Sequence, residues 1–389
     1  MTTETAVARA VTDAVGANPY DRWIESLGVP VHRDYYLEDG RTLKLGDWKE
    51  RECQAAFVQL AGQQGITGVY VTELAPGQTL PPFKLSVDEV IYVLDGYGLT
   101  SLWPSLRPGS GQAVGSGNDQ KDARSFEWQK HALFRIPANY SYQLGNTRGG
   151  ARARLLHINY LPAAMGLQPD PAVFINNPHG QPQPGEQATY SEAKGIDDPR
   201  GRASHGGLTW VGNFFPDMRS WDKLDPFRHR GAGGTAVHIE FPGSPVTAHM
   251  SVFPSRTYKK GHRHGPGVII VIPAGEGYSI MWPEGKEKIV IPWHEGSVFV
   301  PPARWFHQHF NVSAGSDRYL ALHSPRVIGA LFGSGEAIED RARDQFEYPD
   351  EDPWIREKFE SELAKRGLTS LMVDEAYKDR NYQWKTMDG

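Results

Sequence analysis

The chemistry legible in this sequence is carried by imidazoles. His262 and His264 stand two residues apart in Gly261-His262-Arg263-His264, and His307 and His309 repeat that spacing in Trp305-Phe306-His307-Gln308-His309-Phe310-Asn311. In a strand, alternate residues share a face, so each pair presents two imidazoles to one side. Three neutral imidazoles facing one cavity, His262, His264 and His307, form a facial set that leaves positions on a divalent metal open for substrate or oxygen. The competing account, a chance surface His-x-His, is weakened by the third histidine and by the Gly and Pro punctuation around it, Gly296, Pro301 and Pro302. His309 has the parity of His307 and reads as a fourth ligand, an acid/base or a group behind the ligands. Lys260 has the parity of His262 and either holds a substrate carboxylate or lies solvated at the rim. Trp305, on the ligand-side parity, lines the pocket or packs in the core. Arg263 and Arg304 alternate away from the ligand face and read as ion-pair partners.

These residues need strands to hold them, and the chain supplies strands in two sets. Short β-rich runs at 56–60, 68–74 and 90–94 are separated by turn signals, and strand signals resume from 208 to 322. The two sets are copies of one unit. Residues 137–146 lie over 302–311 without a gap at an offset of 165, and 83–96 lie over 262–275 at an offset of 179. The change of offset matches a Gly/Ser-rich excursion at 105–123 present in the first copy alone. Self-similarity over this period identifies the architecture before any single motif does, and each copy has the size of a small β-barrel or jelly roll. Helical spacing is confined to the ends. It runs from Pro19 to the stop at Gly28, across 337–343, and from the N-cap Asp352 through Pro353 to Gly367. The expected division is an N-terminal arm with a short helix at 1–33, a first barrel at 34–165, a linker at 166–207, a second barrel at 208–330 and a helical tail at 331–389.

Composition narrows the function classes. Among 389 residues, 41 basic and 46 acidic side chains give a net charge of −5, which argues against a nucleic-acid binder. A single cysteine, Cys53, removes intramolecular disulfides and thiolate-cluster metal sites. No apolar run has the length needed to span a bilayer, and residues 1–5 lack the basic start of a secretory signal. The expectation is a soluble, cytoplasmic protein without membrane or nucleic-acid partners, assembled as a homo-oligomer with a dimer as the default.

The spacing of His262, His264 and His307, with Gly296, Pro302 and Asn311, resembles the two motifs of the cupin superfamily. The first copy resembles the same motifs with Phe83, Leu85 and Tyr142 in the three histidine positions and Glu89 where cupins often carry a glutamate ligand. The chain is therefore similar to bicupins over about 34–161 and 208–323. The resemblance implies an all-β fold of two double-stranded β-helix (jelly-roll) barrels, metal in the second barrel and a metal-free scaffold in the first. In the second copy Val268 stands where Glu89 stands in the first, leaving three histidines and no carboxylate. Similar three-histidine sites occur in gentisate- and salicylate-type ring-cleaving dioxygenases. That likeness implies an Fe(II)-dependent dioxygenase of a small hydroxylated, aromatic acid, with O2 as co-substrate. Three imidazoles also accept Mn, Ni, Cu or Zn. A redox-neutral lyase, decarboxylase or isomerase, and a non-catalytic small-molecule-binding bicupin, are the alternatives.

Overall fold

The computed structural model describes residues 18–104, 123–182, 189–190, 193–197, 208–220, 224–226, 230–325, 327–328 and 341–384. Nearly all of the 105–123 excursion and the first part of the helical segment expected at 337–343 lie outside the described residues.

Each copy folds as two sheets around its own interior. In the first, an eight-stranded sheet contains Val31–Asp34, Cys53–Leu60, Gly68–Leu74, Ala153–Asn159, Glu89–Asp95 and Leu133–Ile136 in that order. It faces a four-stranded sheet of Phe83–Lys84, Tyr140–Asn146, Tyr97–Pro104 and Arg124–Gln129. In the second, a nine-stranded sheet contains Thr235–Glu240, Thr247–Phe253, Asp317–His323, Ile269–Ala274 and Val298–Phe299. It faces a three-stranded sheet of Ile289–His294, Glu276–Trp282 and Phe306–Asn311. Side chains of these strands alternate between two destinations, as the period of two demands. On Gly68–Leu74, Tyr70 enters the first barrel while Val69 and Val71 point out. Those outward residues meet Val237, Ile239, Met250 and Leu320 of the second copy in one shared core, so the two large sheets pack face to face.

Two short strands cross the division expected at 34–165 and 208–330. Tyr36–Leu37 pairs with Val298–Phe299 of the second barrel, and Phe214–Phe215 pairs with Leu133–Ile136 of the first. Each is two residues long, too short to leave a periodic signal in the sequence. The segment expected as a linker, 166–207, also contributes a strand, Lys194–Asp197, paired with Leu208–Val211.

The helix Pro19–Ser26 is capped by the Asn18 side chain, buries Tyr20 and Ile24 and ends before Gly28 at φ +66°. The helix Pro353–Ala364 begins as its sequence requires, with the Asp352 side chain accepting from Trp354 N at 3.0 Å, and Gly367 follows at φ +69°. Its buried stripe of Ile355, Phe359 and Leu363 packs on Tyr258, Tyr278, Ile280, Phe306 and Phe310. Each such fully buried side chain contributes about 1.5–3 kcal/mol. That apolar surface is the outer face of the sheet whose inner face carries His307 and His309. The result is an all-β architecture of two jelly-roll barrels with helical segments at the ends. No helix among the described residues is long and apolar enough to cross a membrane.

Candidate metal centre

The strand Phe306–Asn311 is central to the site. On one side it pairs with Glu276–Trp282, Met281 opposite His307 and Ser279 opposite His309. On the other it bonds the segment carrying the first histidine pair, with His262 N donating to His307 O at 3.1 Å and His307 N to His262 O at 2.8 Å. Alternation then sends Phe306 and Phe310 outward to the tail helix and His307 and His309 inward.

One ligand atom from each of His262, His264 and His307 lies within 4.8 Å of the others. The ring centroids are 4.4 Å (262–307), 4.7 Å (264–307) and 5.9 Å (262–264) apart. The hydrogen bonds behind the rings fix their tautomers. Nδ1 of His262 donates to Lys260 O at 3.1 Å, that of His264 to Gly265 O at 2.8 Å, and that of His307 to Trp305 O at 3.2 Å. With the proton held on Nδ1, each Nε2 presents a lone pair, the arrangement a metal-ligating histidine requires. His307 Nε2 is a buried polar atom with no hydrogen-bond partner, which a metal–nitrogen bond would satisfy. Burial, reinforced by Arg230 and the neighbouring rings, pushes the His262 imidazole far below its ordinary pKa, and burial does the same to His307. Neutral imidazoles are the species that bind a divalent cation. The donor set therefore fits a metal.

His309 sits 5.5 Å from the His307 ring and 6.3 Å from His262, and its Nδ1 contacts Ser279 Oγ at 2.8 Å rather than a carbonyl. Trp293 Nε1–H can only donate, and it does so to Ser279 Oγ at 3.0 Å. Ser279 Oγ thus joins Trp293 to His309 Nδ1, whereas backbone carbonyls hold Nδ1 of the other three histidines.

The parity that would turn Lys260 inward is broken by one residue. Tyr258 stands opposite Phe310 and His262 opposite His307, so four steps on one strand match three on the other. This bulge turns Lys260 aside, where its ammonium forms an ion pair with Glu347. Lys259 takes the inward place instead. It is fully buried, with Nζ 2.5 Å from Ser251 Oγ and 3.0 Å from the Tyr319 hydroxyl. Trp305 is half-buried against the interior cluster of the second barrel and 6.1 Å from the Tyr35 ring. Arg230, buried beside the site and bonded through Nη1 to Gln345 Oε1 at 2.9 Å, lies in an irregular stretch with no motif to announce it.

Arg263 and Arg304 converge on one carboxylate of the tail. Asp344 accepts from Arg263 Nε at 2.9 Å, Arg304 Nη2 at 2.7 Å and Arg343 Nη2 at 2.8 Å. Burial raises the pKa of this carboxyl, and the bonds from Arg343, Arg304 and Arg263 outweigh it, holding the group well below the usual carboxylate range. The backbone joins in: Arg263 N donates to Asp344 O at 2.9 Å and Phe346 N to Gly261 O at 2.7 Å. Asp344 thus ties the segment of His262 and His264 to that of His307. Asp344→Asn is expected to weaken metal binding about 10–100-fold with every ligand intact, as loss of a supporting bond does. Chelator competition at fixed metal checks this, and unchanged affinity would reduce the tail to a cover.

In the first barrel the corresponding interior is filled. Glu89 accepts hydrogen bonds from the hydroxyls of Tyr70 and, at 2.6 Å, Tyr142, and lies 3.3 Å from His157 Nδ1. The Arg51 guanidinium sits 3.9 Å over the Phe83 ring and bonds both tyrosines. Tyr142 stands where His307 stands in the second copy, and its hydroxyl serves Glu89. In the second barrel Val268 packs in the interior cluster and supplies no carboxylate.

No family model matches this sequence, and no curated protein matches it. Solved structures do. One of Bacillus subtilis oxalate decarboxylase at pH 4.6 aligns with 74% of this chain and 75% of its own at 10% identity and a TM-score of 0.43. Another, concerned with the Mn(II) centres of that enzyme, covers 74% and 76% at 12% identity with a TM-score of 0.43. A third, on the substrate binding mode of oxalate decarboxylase, covers the same shares at 12% identity and 0.44. At this level the likeness concerns the fold.

Proposed function

We propose that this chain is a metal-dependent enzyme that binds one divalent cation at His262, His264 and His307 and carries out a redox-neutral lyase reaction, decarboxylation in the simplest case, on a small chelating acid. The observation that carries this reading is the set of three imidazoles whose Nδ1 protons are held by backbone carbonyls, leaving three Nε2 lone pairs to a metal, with a fourth imidazole, His309, beside them. When bound, the metal supplies Lewis-acid polarisation of a substrate oxygen. Manganese or iron suits such a site, and nickel, copper or zinc are accepted by the same ligands. The protein provides the rest. The barrel interior shields the site from bulk water, and the neutral His309 ring hydrogen-bonds and orients the reacting group. The carbon–carbon bond to the carboxylate breaks, its electron pair stays on the substrate carbon, carbon dioxide leaves, and a proton from solvent takes its place.

A second reading, an Fe(II)-dependent dioxygenase, is favoured by the ligand set itself, since Val268 leaves three neutral imidazoles without a carboxylate. Anaerobic metal loading followed by screening of hydroxylated aromatic, keto and dicarboxylic acids, with an oxygen electrode and a carbon dioxide assay in parallel, separates the two. Turnover without oxygen uptake supports the lyase; stoichiometric oxygen uptake overturns it in favour of the dioxygenase. On the lyase reading His309→Ala is expected to retain its metal and lose about 10–100-fold in activity, the usual cost of removing a group that supports the ligands.

A further inference from the structure

Residues 344–351 form a strap laid antiparallel along 258–263, the segment that leads into His262 and His264. Arg263 N donates to Asp344 O at 2.9 Å, Gln345 stands opposite His262, and Phe346 N donates to Gly261 O at 2.7 Å. Glu347 pairs with Lys260, the Tyr348 hydroxyl donates to Tyr258 O at 2.6 Å, and the Tyr258 hydroxyl donates to the Glu351 carboxylate. Glu351 also reaches the strand of the third ligand. It accepts at 3.1 Å from Nε2 of Gln308, the residue between His307 and His309. One carboxyl at the end of the strap therefore ties both ligand-bearing segments together from outside.

That carboxyl is poorly placed for a charge. Both hydrogen-bond partners are neutral, and it acts on the Tyr258, Tyr348 and Tyr377 phenols beside it. The centroids of these rings are 5.4 Å (258–348), 5.9 Å (348–377) and 6.5 Å (258–377) apart. Two charged groups of the tail helix face it, Asp352 and Arg356, and the guanidinium is itself bonded to Glu360 at 2.8 Å and Asp374 at 3.0 Å. Gln308 Oε1 is buried without a hydrogen-bond partner, so the cluster is short of a hydrogen, and a neutral Glu351 carries one. Burial pushes the Glu351 carboxyl up to about 7, with Asp352 adding to the rise and Tyr258, Gln308 and Arg356 opposing it.

We propose that Glu351 is a proton-operated latch on this strap, closed while the carboxyl is neutral and loosened when it ionises, so that the metal centre tightens and slackens with pH from outside the barrel. The consequence for metal rests on the three-histidine site of the preceding reading, whereas the latch itself does not. The docked strap binds the proton more tightly than an undocked one, whose carboxyl is solvated at an ordinary pKa. The stabilisation is thus fully present below about 4.5 and is lost as pH rises through about 7. Loss of docking frees Asp344 as well, and with it the clamp on Arg263 and Arg304.

Hydrogen exchange of the metal-free full-length chain at pH 6 and pH 8, corrected for the intrinsic exchange rate, tests the latch. Protection of residues 344–351 is expected to fall about 10-fold between the two in the wild type, the change in proton occupancy that linkage requires. Glu351→Gln, which keeps the shape and stays neutral, should hold the pH 6 level at both. Tyr258→Phe, which removes a donor to the ionised form, should move the fall to higher pH. Protection that is constant with pH in the wild type, or that falls equally in Glu351→Gln, overturns the latch. Transfer of Mn(II) from the loaded protein to a chelator should be about 10-fold faster at pH 8 than at pH 6 in the wild type, relative to Glu351→Gln at the same two values. Equal pH dependence of transfer in both proteins overturns the link to the metal. If the wild type retains no metal at either pH, the three-histidine reading falls, and the exchange result still decides the latch.

Discussion

His307→Ala is expected to leave the protein without tightly held metal. His307 offers one of the three nitrogen ligand atoms of the proposed site, and its Nε2 is a buried atom that no protein group satisfies. The backbone bonds of the strand run through N and O, so the fold should survive the change. The loss of affinity should exceed the roughly 10–100-fold that removal of a supporting hydrogen bond costs. His262→Ala and His264→Ala should behave alike, and His309→Ala should retain a full complement, about one metal per chain by elemental analysis. Equal losses in His307→Ala and His309→Ala would mean four histidine ligands and fewer open positions. Two tightly held equivalents in the wild type would place a second site elsewhere.

The complementary result is expected from Glu89→Gln, which should cost stability and no metal. Glu89 is fully buried at the centre of the first barrel, where Tyr70, Tyr142, His157 and Arg51 surround it. Burial raises its pKa, but His157, Arg51 and the Tyr142 hydroxyl more than offset this and lower it from 4.5 to about 2. The glutamine keeps the shape and removes the charge, leaving the Arg51 guanidinium uncompensated in the interior. Removing a charged acceptor from buried hydrogen-bonding partners in this way costs about 1–3 kcal/mol. The sign of the pH dependence follows from the lowered pKa. The stabilisation from Glu89 is fully present above about 4.5 and is lost as pH falls through about 2. Denaturant midpoints measured across that window should fall for the wild type and lack this component in Glu89→Gln. A midpoint unchanged at neutral pH would show that the network contributes nothing net.

Much of the site was legible because strand alternation is a strict rule. His262, His264, His307 and His309 were readable as inward-facing from spacing alone, and all four face one interior. The repeat located both copies, since 83–96 and 137–146 keep their offsets through strand and turn alike. Reading failed where the rule is interrupted. The bulge between Tyr258 and His262 exchanges Lys260 for Lys259, and nothing in Tyr258-Lys259-Lys260-Gly261 marks which lysine is the extra residue. Arg230 was missed because no motif surrounds it, and Asp344 because it arrives from a segment read only as a helical tail. The exchanged strands Tyr36–Leu37 and Phe214–Phe215 are defined by partners far away in sequence, so no local pattern encodes them. The bond of His309 to Ser279, which also receives Trp293, is a contact that only the folded sheet creates.

The clamp that Asp344 makes on Arg263 and Arg304 imposes an order on biosynthesis. All three ligands have been translated once the ribosome passes residue 307, yet the segments bearing them are tied together by residues made later. At roughly 5–20 residues per second, the nascent second barrel spends seconds with its imidazoles present and its clamp absent. During that interval the three imidazoles lack the geometry that the clamp imposes. If a cation enters then, its identity depends on when it arrives as well as on the pocket, and loading before and after release from the ribosome need not yield the same ion.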